Sequence, residues 1–371
     1  MQDRLLIIFD HSRQCAGGQW SLVFFLEVLL RLHRSFDVCV VYHRDNLQLA
    51  RELQRLRLRG RPINYGNNFF RRVFDLTNVI NTERRHRPSM VFYGNTFEGG
   101  FWSALFGCLF SKRSLFRVRL SPHLFPHPII DFYIFLLNKK LIFNSFFVEQ
   151  EFKRRFPFLA RVKSGLTVYN YMGGVSDYAK SDYGLGEVLT FAVVGRFEPI
   201  KNQAVVPIVA KYMKERGFSG FKILMIGHDD LRDEGAYRKE VASAIAALEV
   251  ADVCEIVQDR ATPAEVYSGV DVVLTLSRCE ALPRVICESG LFGIRNIAVN
   301  AAGNKELIEG DPGGVPITDF EPRAVAEACI GVLQNKADLP ILGQKSQAYY
   351  QALFSVDNTV KVELKLIETL F

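Results

Sequence analysis

The second half of the chain alternates short apolar runs with helical patterns, and this alternation limits the possible folds more than any other feature. Runs rich in β-branched residues predict strands at 189–194, 222–226, 253–257, 270–276 and 296–299. The first half shows a similar order, with a helix at 20–32 and predicted strands at 5–9, 38–42, 90–93, 115–120, 141–144 and 166–169. Strands that alternate with helices indicate a parallel sheet with helices on both faces, so the sequence predicts two doubly wound, Rossmann-like α/β domains.

The length of 371 residues also favours two domains, because it exceeds what one hydrophobic core usually organises. The segment 173–187 is rich in Gly, Ser, Asp and Tyr, has no clear period, and is typical of a linker. We therefore predict an N-terminal domain at 1–178, a C-terminal domain at 179–345, and a helix at 346–371 that returns to the N-terminal domain. Ligands bind outside the carboxyl ends of strands in such sheets, so we expect the two domains to face each other across a ligand-binding cleft.

The two halves carry opposite net charges. Residues 1–185 hold 27 Lys and Arg against 14 Asp and Glu, a net charge of +13, and residues 186–371 hold 19 against 26, a net charge of −7. The basic half also contains aromatic pairs such as those at 24–25 and 69–70. Three interpretations stay open for it: a solvated face, contact with an anionic membrane or lipid-linked acceptor, and nucleic-acid binding. The last is disfavoured because no stacking module or zinc motif accompanies the charge.

The spacing of the cysteines and the length of the apolar runs indicate the cellular compartment of the protein. The seven cysteines form no CxxC pair and no metal-ligand spacing, so we expect free thiols in a reducing cytoplasm. The chain does not open with a basic segment followed by an apolar one, and no uncharged apolar run reaches the ~18–20 residues of a spanning helix. The prediction is a cytoplasmic protein, with peripheral contact to the inner face of the cytoplasmic membrane as one interpretation of the basic half.

An arginine and a lysine share the loop after the first strand of the second domain, in the segment from Gly195 to Asn202. Arg196 offers a fork of donors and Lys201 a point charge, so together they can neutralise a diphosphate. The alternative is that both are solvated loop cations. Upstream, Gly17 and Gly18 follow the first strand and open a helix, where backbone can approach a phosphate closely, although an ordinary tight turn explains them equally.

Two glutamates eight positions apart, Glu280 and Glu288, follow the strand predicted at 270–276, and Pro283 lies between them. Proline favours the first turn of a helix, and the free amides of a helix start bind anions. If the segment is helical, eight residues climb ~12 Å, which suits a polyhydroxylated diphosphate ligand held at two points. The alternative is two surface carboxylates. Glu288 lies among apolar neighbours, however, where partial burial needs a partner, which a hydroxyl-rich ligand would supply.

These motifs resemble those of the retaining glycosyltransferases of family 4, which have the GT-B fold. The resemblance covers residues 189–335 and consists, in the family's order and spacing, of GRFEPIKN, KILMIG, YSGVDVVLTLSRCEALPRVICE and AAGNKELIEG. The first half resembles the family more weakly, through the glycine pair, FNS at 143–145 and VYN at 168–170. Family members often have Gly-Phe-Gly where this chain has Ala281-Leu282-Pro283, and Pro283 lacks one amide that could contact the donor.

The resemblance implies roles for the site residues. Arg196 and Lys201 would bind the donor diphosphate, Glu280 the donor sugar and Glu288 the ribose. His123, which follows a strand of the first domain, would lie near the reaction centre, although loop histidines are commonly structural. We predict as catalytic residues Arg196, Lys201, Glu280 and His123. We predict as donor-binding residues Gly17, Gly18, Gly195, Ala281, Leu282, Pro283 and Glu288.

The sequence therefore predicts a retaining, metal-independent hexosyltransferase. It would move a sugar from a nucleotide-sugar to a hydroxyl of a glycan or lipid-linked acceptor, as in cell-surface polysaccharide or lipopolysaccharide synthesis. No DxD motif marks a metal site, so neither a metal nor another cofactor is expected. The expected partners are the donor, bound by the C-terminal domain, the acceptor, bound by the N-terminal domain, and an anionic membrane, but not nucleic acid. The alternatives are an epimerase or phosphorylase on the same fold, and an inactive nucleotide-sugar-binding scaffold.

Overall fold

The computed structural model describes residues 3–32, 35–66, 68–85, 87–120, 127–163, 165–173, 186–229, 234–258 and 262–371. The chain forms two compact units. The first comprises Met1–Gly173 and Phe354–Phe371, and the second comprises Gly174–Leu353. Each unit is an α/β structure with apolar clusters that cover its parallel sheet.

The first unit contains, among the described residues, a seven-stranded parallel sheet of order β3-β2-β1-β4-β5-β6-β7. The strands are β1 Arg4–Asp10, β2 Asp37–His43, β3 Arg59–Ile63, β4 Ser89–Gly94, β5 Ser114–Val118, β6 Lys140–Phe143 and β7 Gly165–Thr167. The helices before the linker are α1 Gly17–Arg31, α2 Leu47–Arg55, α3 Phe69–Arg84, α4 Phe97–Phe106, α5 Pro128–Leu137, α6 Phe146–Arg155 and α7 Pro157–Val162. The strand order reverses between β1 and β4, so this sheet has its switch point there.

The second unit contains, within the described ranges, a six-stranded parallel sheet of order β10-β9-β8-β11-β12-β13. The strands are β8 Leu189–Val194, β9 Phe221–Ile226, β10 Cys254–Val257, β11 Val272–Thr275, β12 Arg295–Val299 and β13 Val315–Ile317. The helices are α8 Val206–Glu215, α9 Ala236–Ala247, α10 Pro263–Tyr267, α11 Arg284–Leu291, α12 Ala302–Ile308, α13 Pro322–Gln334 and α14 Leu339–Leu353. Here the switch point lies between β8 and β11.

Two doubly wound parallel sheets confirm the predicted fold class. The sequence analysis did not predict strands β3 and β13, and each of them lies at an edge of its sheet. β3 has the sequence Arg-Gly-Arg-Pro-Ile and β13 is Val-Pro-Ile. An edge strand pairs with a neighbour on one side only, so it tolerates proline and charged residues. It therefore need not contain the apolar run by which a central strand is recognised.

The chain returns to the first unit at Phe354, rather than at residue 346 as predicted. α14 still belongs to the second unit because it packs tightly on α11. A Cβ on Gly290 of α11 would lie 2.0 Å from the ring of Tyr350, and Gln347 donates to the Leu291 carbonyl at 2.9 Å. The last helix, α15 Val360–Glu368, then joins the apolar core of the first unit.

α15 also carries a charge into that core. Glu363 is buried, pairs with the buried Arg117 of β5, and accepts a hydrogen bond from the Tyr93 hydroxyl at 2.7 Å. Arg117 donates to the Val168 carbonyl at 2.9 Å and to Asn170 Oδ1 at 3.0 Å. Burial lowers the pKa of Arg117, but Glu363 and Tyr93 outweigh that effect and raise the pKa above its ordinary value. The guanidinium group therefore stays charged, and charge as well as apolar contact holds α15 in place.

The two longest apolar runs of the first half, residues 101–110 and 129–137, form helices. One is α4, which continues into a π-helical turn at Gly107–Ser111, and the other is α5, which buries Asp131 on its inner face. Within the described ranges, no helix is both long enough and apolar enough to cross a membrane.

Candidate functional site

The loop after β8 has a backbone shape that few side chains would allow. Gly195 adopts a φ of +141°, in the region that favours glycine. The next strand also ends in a close approach, because a Cβ on Gly227 would lie 2.0 Å from the Gly195 carbonyl oxygen. Beyond the buried Phe197, a short 3₁₀ turn at Pro199–Lys201 ends at Asn202, whose φ is 59°. These constraints fix where Lys201 leaves the loop.

Lys201 forms an ion pair with Glu280 at the carboxyl edge of the second sheet. Lys201 follows β8 and Glu280 follows β11, the two neighbouring strands that flank the switch point, where doubly wound sheets bind ligands. Their side chains are 19% and 20% exposed, so both charges are partly desolvated and still reachable from solvent. The structure thus brings together two predicted catalytic residues where this fold binds ligands.

Arg196 lies in the same loop and has a buried anchor. Its Nη2 is 3.3 Å from Oε1 of Glu198, whose side chain is 8% exposed whereas that of Arg196 is 48% exposed. The Gln203 amide also donates to the Arg196 carbonyl at 2.7 Å. Glu198 was not predicted as a site residue, although its position two residues after Arg196 inside the charged loop was a signal. Arg196 is therefore held at its base, while its guanidinium group reaches solvent.

The helix after Pro283 begins later than predicted. Pro283 has a φ of −72° and a ψ of 100°, so it is the N-cap residue that precedes α11 and not part of the first turn. Its carbonyl accepts the first intrahelical hydrogen bond, from the Cys287 amide at 3.3 Å. Glu280 consequently lies in the loop, together with Ala281 and Leu282, and only Glu288 is on the helix. The predicted two-turn climb between the glutamates is therefore wrong.

Glu288 is 13% exposed, and its partners come from the protein. Arg284, one turn earlier on α11, pairs with Oε1, and the Tyr267 hydroxyl donates to Oε2 at 3.2 Å. Burial and then the charge of Glu288 raise the pKa of Tyr267 well above its ordinary value, so the phenol stays protonated as a donor. The sequence predicted that Glu288 needs a partner, which a hydroxyl-rich ligand would supply, and the structure shows that Arg284 and Tyr267 already serve as partners. The i, i+4 spacing of Arg284 and Glu288 could have revealed one partner, whereas nothing in the sequence pointed to Tyr267.

The backbone of Glu280 rests on the start of α12. The Gly303 amide donates to the Glu280 carbonyl at 2.9 Å, and a Cβ on Gly303 would lie 2.4 Å from the Ala281 carbonyl oxygen. The preceding Ala302 has a φ of +50°. The glycine of the AAGNKELIEG motif therefore allows the close approach that positions Glu280.

Substituting Gly303 with alanine is expected to destabilise the second unit by about 1–3 kcal/mol, because the added methyl group must push the Glu280 loop away. Gly331, on α13, is the matched control, since a Cβ there would meet nothing within 4 Å. Gly331→Ala should be neutral or stabilise the protein by up to about 1 kcal/mol. Thermal melting compares the two variants, and equal melting temperatures would contradict the packing argument.

The predicted site residues of the first unit lie at the start of α1 or outside the described residues. α1 begins at Gly17, earlier than the predicted residue 20, because Gln19 accepts a hydrogen bond from the Ala16 amide at 3.1 Å and so caps the helix. Gly18 is in the first turn, where a Cβ would make an ordinary 3.4 Å contact with Arg119. His123 lies outside the described residues.

The side chains that the structure describes include no group of three or more His, Cys, Asp or Glu that could hold a metal ion. Asp229, which is followed directly by a second aspartate in the sequence, pairs with Arg238 at 2.5 Å. The seven cysteines are free thiols, and burial raises the pKa of Cys254 and Cys329 to about 12. Metal independence stays a prediction.

Comparison with known proteins addresses the fold and the second unit. Residues 180–349 match the family model described as Glycosyl transferases group 1. No curated protein matches the chain in sequence. Among solved structures, the chain is similar to Alr3699/HepE of Anabaena in complex with UDP, at 18% identity and a TM-score of 0.80, over 98% of this chain and 99% of that one.

Two further structures are similar along their whole length. Sucrose-phosphate synthase from Thermosynechococcus elongatus has 14% identity and a TM-score of 0.77, with 99% of each chain covered. The apo lipopolysaccharide outer core galactosyltransferase WaaB has 13% identity and a TM-score of 0.75, over 99% of this chain and 100% of that one. These likenesses show the GT-B fold, and the family match contains the Lys201–Glu280 pair. Together they support a GT-B glycosyltransferase, and the match to the family model Glycosyl transferases group 1 lies within the second unit.

Proposed function

We propose that this protein is a retaining, metal-independent glycosyltransferase of the family 4 type that transfers a hexose from a nucleotide-sugar to a hydroxyl of a glycan or lipid-linked acceptor. The observation that carries the proposal is the Lys201–Glu280 pair at the switch point of the group 1 domain. The similar HepE structures hold UDP, UDP with glucose, and UDP-glucose. A UDP-sugar is therefore the donor class to test first.

The ion pair defines how a donor would bind. A diphosphate carries more charge than one carboxylate, so it would compete with Glu280 for the Lys201 ammonium group. Arg196, whose guanidinium group reaches solvent beside its Glu198 anchor, would add a second cation. The free amides at the start of α11 would contribute partial positive charge. Glu280, released from Lys201, would then accept hydrogen bonds from hydroxyls of the donor sugar.

Glu288 suits a different part of the donor. Arg284 and Tyr267 hold its two oxygens, so the carboxylate has a fixed orientation and keeps lone pairs for further donors. A ribose diol offers two such donors. We assign the ribose to Glu288 because the family resemblance implies that role, and its position on α11, beyond the loop of Glu280, is compatible with it.

The reaction would proceed without a metal because the protein supplies the charges. The bond between the anomeric carbon and the diphosphate oxygen breaks, and Lys201 and Arg196 stabilise the charge that grows on the leaving diphosphate. The acceptor hydroxyl forms the new bond on the same face of the sugar and passes its proton to the departing phosphate. We also propose His123, which lies outside the described residues, as a hydrogen-bond partner of the sugar or of the acceptor hydroxyl, because the family resemblance implies that role.

A thermal-shift screen of nucleotides and nucleotide-sugars tests the donor site. A donor at a hundred times its Kd should stabilise the protein by about 2.7 kcal/mol. The tight binder is then incubated with and without a glycan acceptor. Conversion of the donor without any acceptor would favour the epimerase alternative, stabilisation without turnover would favour the scaffold, and no stabilisation by any nucleotide-sugar would refute the proposal.

The first unit offers a surface for a lipid-linked acceptor. α5 and α7 pack together, and Lys163 at the end of α7 donates to the Asn138 carbonyl at the end of α5 at 2.5 Å. The exposed apolar side chains on these helices are Ile129, Ile130, Tyr133, Leu137, Phe158 and Val162. The exposed basic side chains on the same and the adjoining segments are Lys139, Lys153, Arg154 and Arg161. Apolar and basic side chains together match an anionic membrane surface, the partner we propose for this face.

Flotation with phosphatidylglycerol-containing vesicles tests that contact. The double substitution Ile129→Ser/Phe158→Ser should lower vesicle partitioning by about tenfold or more, because each side chain loses part of the 1.5–3 kcal/mol that full burial contributes. The control is Ile341→Ser, which removes an equally exposed apolar side chain from the second unit. Wild-type protein that does not bind at low salt, or equal partitioning of the two variants, would count against the surface.

A further inference from the structure

The switch point of the first sheet carries a polar cluster rimmed by aromatic side chains. We propose that this cluster, formed by His11, Tyr65, Arg72, Glu98 and Trp102, is the subsite that binds a pyranose ring of the acceptor. The inference rests on the proposed function, because it names where that reaction would hold its second substrate. All the contacts that support the subsite lie within the first unit.

The cluster occupies the ligand-binding edge of its sheet. His11 follows β1, and Thr96 and Glu98 follow β4, so these side chains flank the point where the strand order reverses. His11 Nδ1 and Thr96 Oγ1 share a hydrogen bond of 2.5 Å, and His11 Nε2 lies 3.9 Å from Glu98 Oε2. Lys201 and Glu280 flank the corresponding point of the second sheet. Each unit therefore presents polar side chains where its own fold binds ligands.

Glu98 is the centre of the cluster. Its Oε1 accepts hydrogen bonds from Arg72 Nη1 at 2.6 Å and from Trp102 Nε1 at 3.4 Å. The side chains of Glu98, Arg72 and His11 are 28%, 23% and 35% exposed, so a ligand can reach all three. A carboxylate beside a guanidinium group offers acceptors and donors at neighbouring positions, which is what two vicinal sugar hydroxyls require.

Two buried polar atoms of this cluster have no hydrogen-bond partner among the described residues, namely Tyr65 Oη and Arg72 Nε. Burial and then the charges of Glu98 and Asp10 raise the pKa of Tyr65, so the phenol keeps its proton and needs an acceptor. A buried donor without an acceptor costs about 1–3 kcal/mol. Hydroxyl oxygens of a bound sugar, or water that a sugar replaces, would satisfy these donors.

An aromatic rim adjoins the polar groups. Phe69 stacks on Trp102 with ring centroids 5.9 Å apart, and the Arg72 guanidinium group lies over the same indole at 5.9 Å. Phe69 also contacts Phe70, with ring centroids 5.9 Å apart, and these two rings are 44% and 82% exposed. Exposed phenyl rings beside a hydrogen-bonding cluster fit a pyranose, which has an apolar C–H face and a polar edge of hydroxyls.

The charges of the cluster disfavour anions. Burial and then the negative charges of two carboxylates, Glu98 and Asp10, raise the pKa of Tyr65. Arg72, the cation of the cluster, is already paired with Glu98 at 2.6 Å. A phosphate would meet net repulsion here, whereas a neutral sugar would not. We therefore assign the cluster to a neutral carbohydrate ring, and not to the diphosphate of a lipid carrier or to nucleic acid.

Saturation-transfer NMR on the full-length protein tests the assignment without any donor. The probes are the methyl α- and β-glycosides of glucose, galactose and N-acetylglucosamine. At least one glycoside should receive saturation from the wild type, and Phe70→Ala and Glu98→Gln should each weaken its binding by about tenfold. Leu109→Ala, which removes an exposed apolar side chain from the π-helical turn at Gly107–Ser111 of the same unit, should bind like the wild type.

The outcomes separate this inference from the proposed function. The subsite is refuted if no glycoside receives saturation from the wild type, or if Phe70→Ala and Glu98→Gln bind as tightly as Leu109→Ala. Either result leaves sugar transfer itself intact, because the donor plays no part in the measurement. Conversely, the two variants could lose glycoside binding selectively while the wild type transfers no sugar from any nucleotide-sugar. That result would support the subsite and refute the proposed reaction.

Discussion

Substituting Lys201 with methionine is expected to lower the kcat of sugar transfer by about 100- to 1,000-fold, the usual loss when one electrostatic stabiliser of a leaving group is removed. Methionine keeps much of the length of the side chain and removes only the ammonium group. In the proposed reaction that group has to meet the negative charge that develops on the departing diphosphate. The loss should therefore appear mainly in kcat and less in the KM for the donor, because Arg196 and the amides of α11 still bind the ground state.

The local structure should tolerate this substitution. Lys201 and Glu280 are each about one-fifth exposed, so an unpaired Glu280 can still be hydrated. The turn that precedes Lys201 depends on Gly195 and Asn202, which the substitution leaves unchanged. Thermal melting of Lys201→Met should therefore stay close to that of the wild type, which separates a catalytic defect from a folding defect.

Lys211→Met is the matched control for Lys201→Met. Lys211 lies on α8 of the same unit, where it makes an exposed pair with Glu215 at 3.8 Å. Such pairs contribute ~0–1 kcal/mol to stability and nothing to a distant site. Initial rates with saturating donor and acceptor compare the variants. A kcat for Lys201→Met near that of Lys211→Met would remove Lys201 from the mechanism.

Local patterns along the chain predict the sheets of this protein well. The central strands consist mostly of buried apolar residues, as in β8, because both faces of a parallel sheet are covered. The edge strands β3 and β13 could not be recognised this way. Their short sequences contain proline and, in β3, two arginines, and pairing with a single neighbour is what makes them strands.

The site was predictable only where its contacts are local in sequence or follow from strand order. Lys201 and Glu280 are 79 positions apart, yet both follow strands of one parallel sheet, and so the order of strands brings them together. Arg284 and Glu288 are one helical turn apart and could have been paired by spacing. The Tyr267 hydroxyl reaches Glu288 only because α10 lies near α11 in the folded unit. The hydrophobic periodicity of the sequence does not predict that arrangement.

The end of the chain illustrates the same limit. α14 and α15 both have helical patterns, and nothing in their composition says to which unit each belongs. Tyr350 fits against Gly290 because that glycine has no Cβ, and so α14 stays on the second unit. Glu363 reaches Arg117 across 246 positions, and this contact exists only in the folded first unit.

The buried pair of Glu363 and Arg117 is the basis of the second prediction with a large expected effect. Substituting Glu363 with alanine is expected to destabilise the first unit by about 3–5 kcal/mol, because it leaves the Arg117 charge buried without its partner. The side chains of Arg117 and Glu363 are 2% and 5% exposed, so water cannot replace the lost carboxylate without opening the core. The Tyr93 hydroxyl would lose its acceptor as well.

Calorimetry of the full-length protein measures the effect. For a unit of this size, 1 kcal/mol corresponds to about 2–4 °C, so the melting transition of the first unit should fall by roughly 10 °C. The transition of the second unit should not move. The control is Lys361→Met on the same helix, which removes an exposed pair with Asp357 at 2.5 Å and should cost less than about 1 kcal/mol.

A double substitution tests whether the unpaired charge is the cause. In Arg117→Met/Glu363→Leu both charges are replaced by apolar groups of similar length, so no ion is left buried. Such replacements are often neutral or stabilising. The double variant should therefore be more stable than Glu363→Ala, although Tyr93 and Asn170 each still lose a partner. If the double variant is instead less stable than Glu363→Ala, then α15 is held by packing and by its hydrogen bonds, and the charge pair is not what fixes the return of the chain to the first unit.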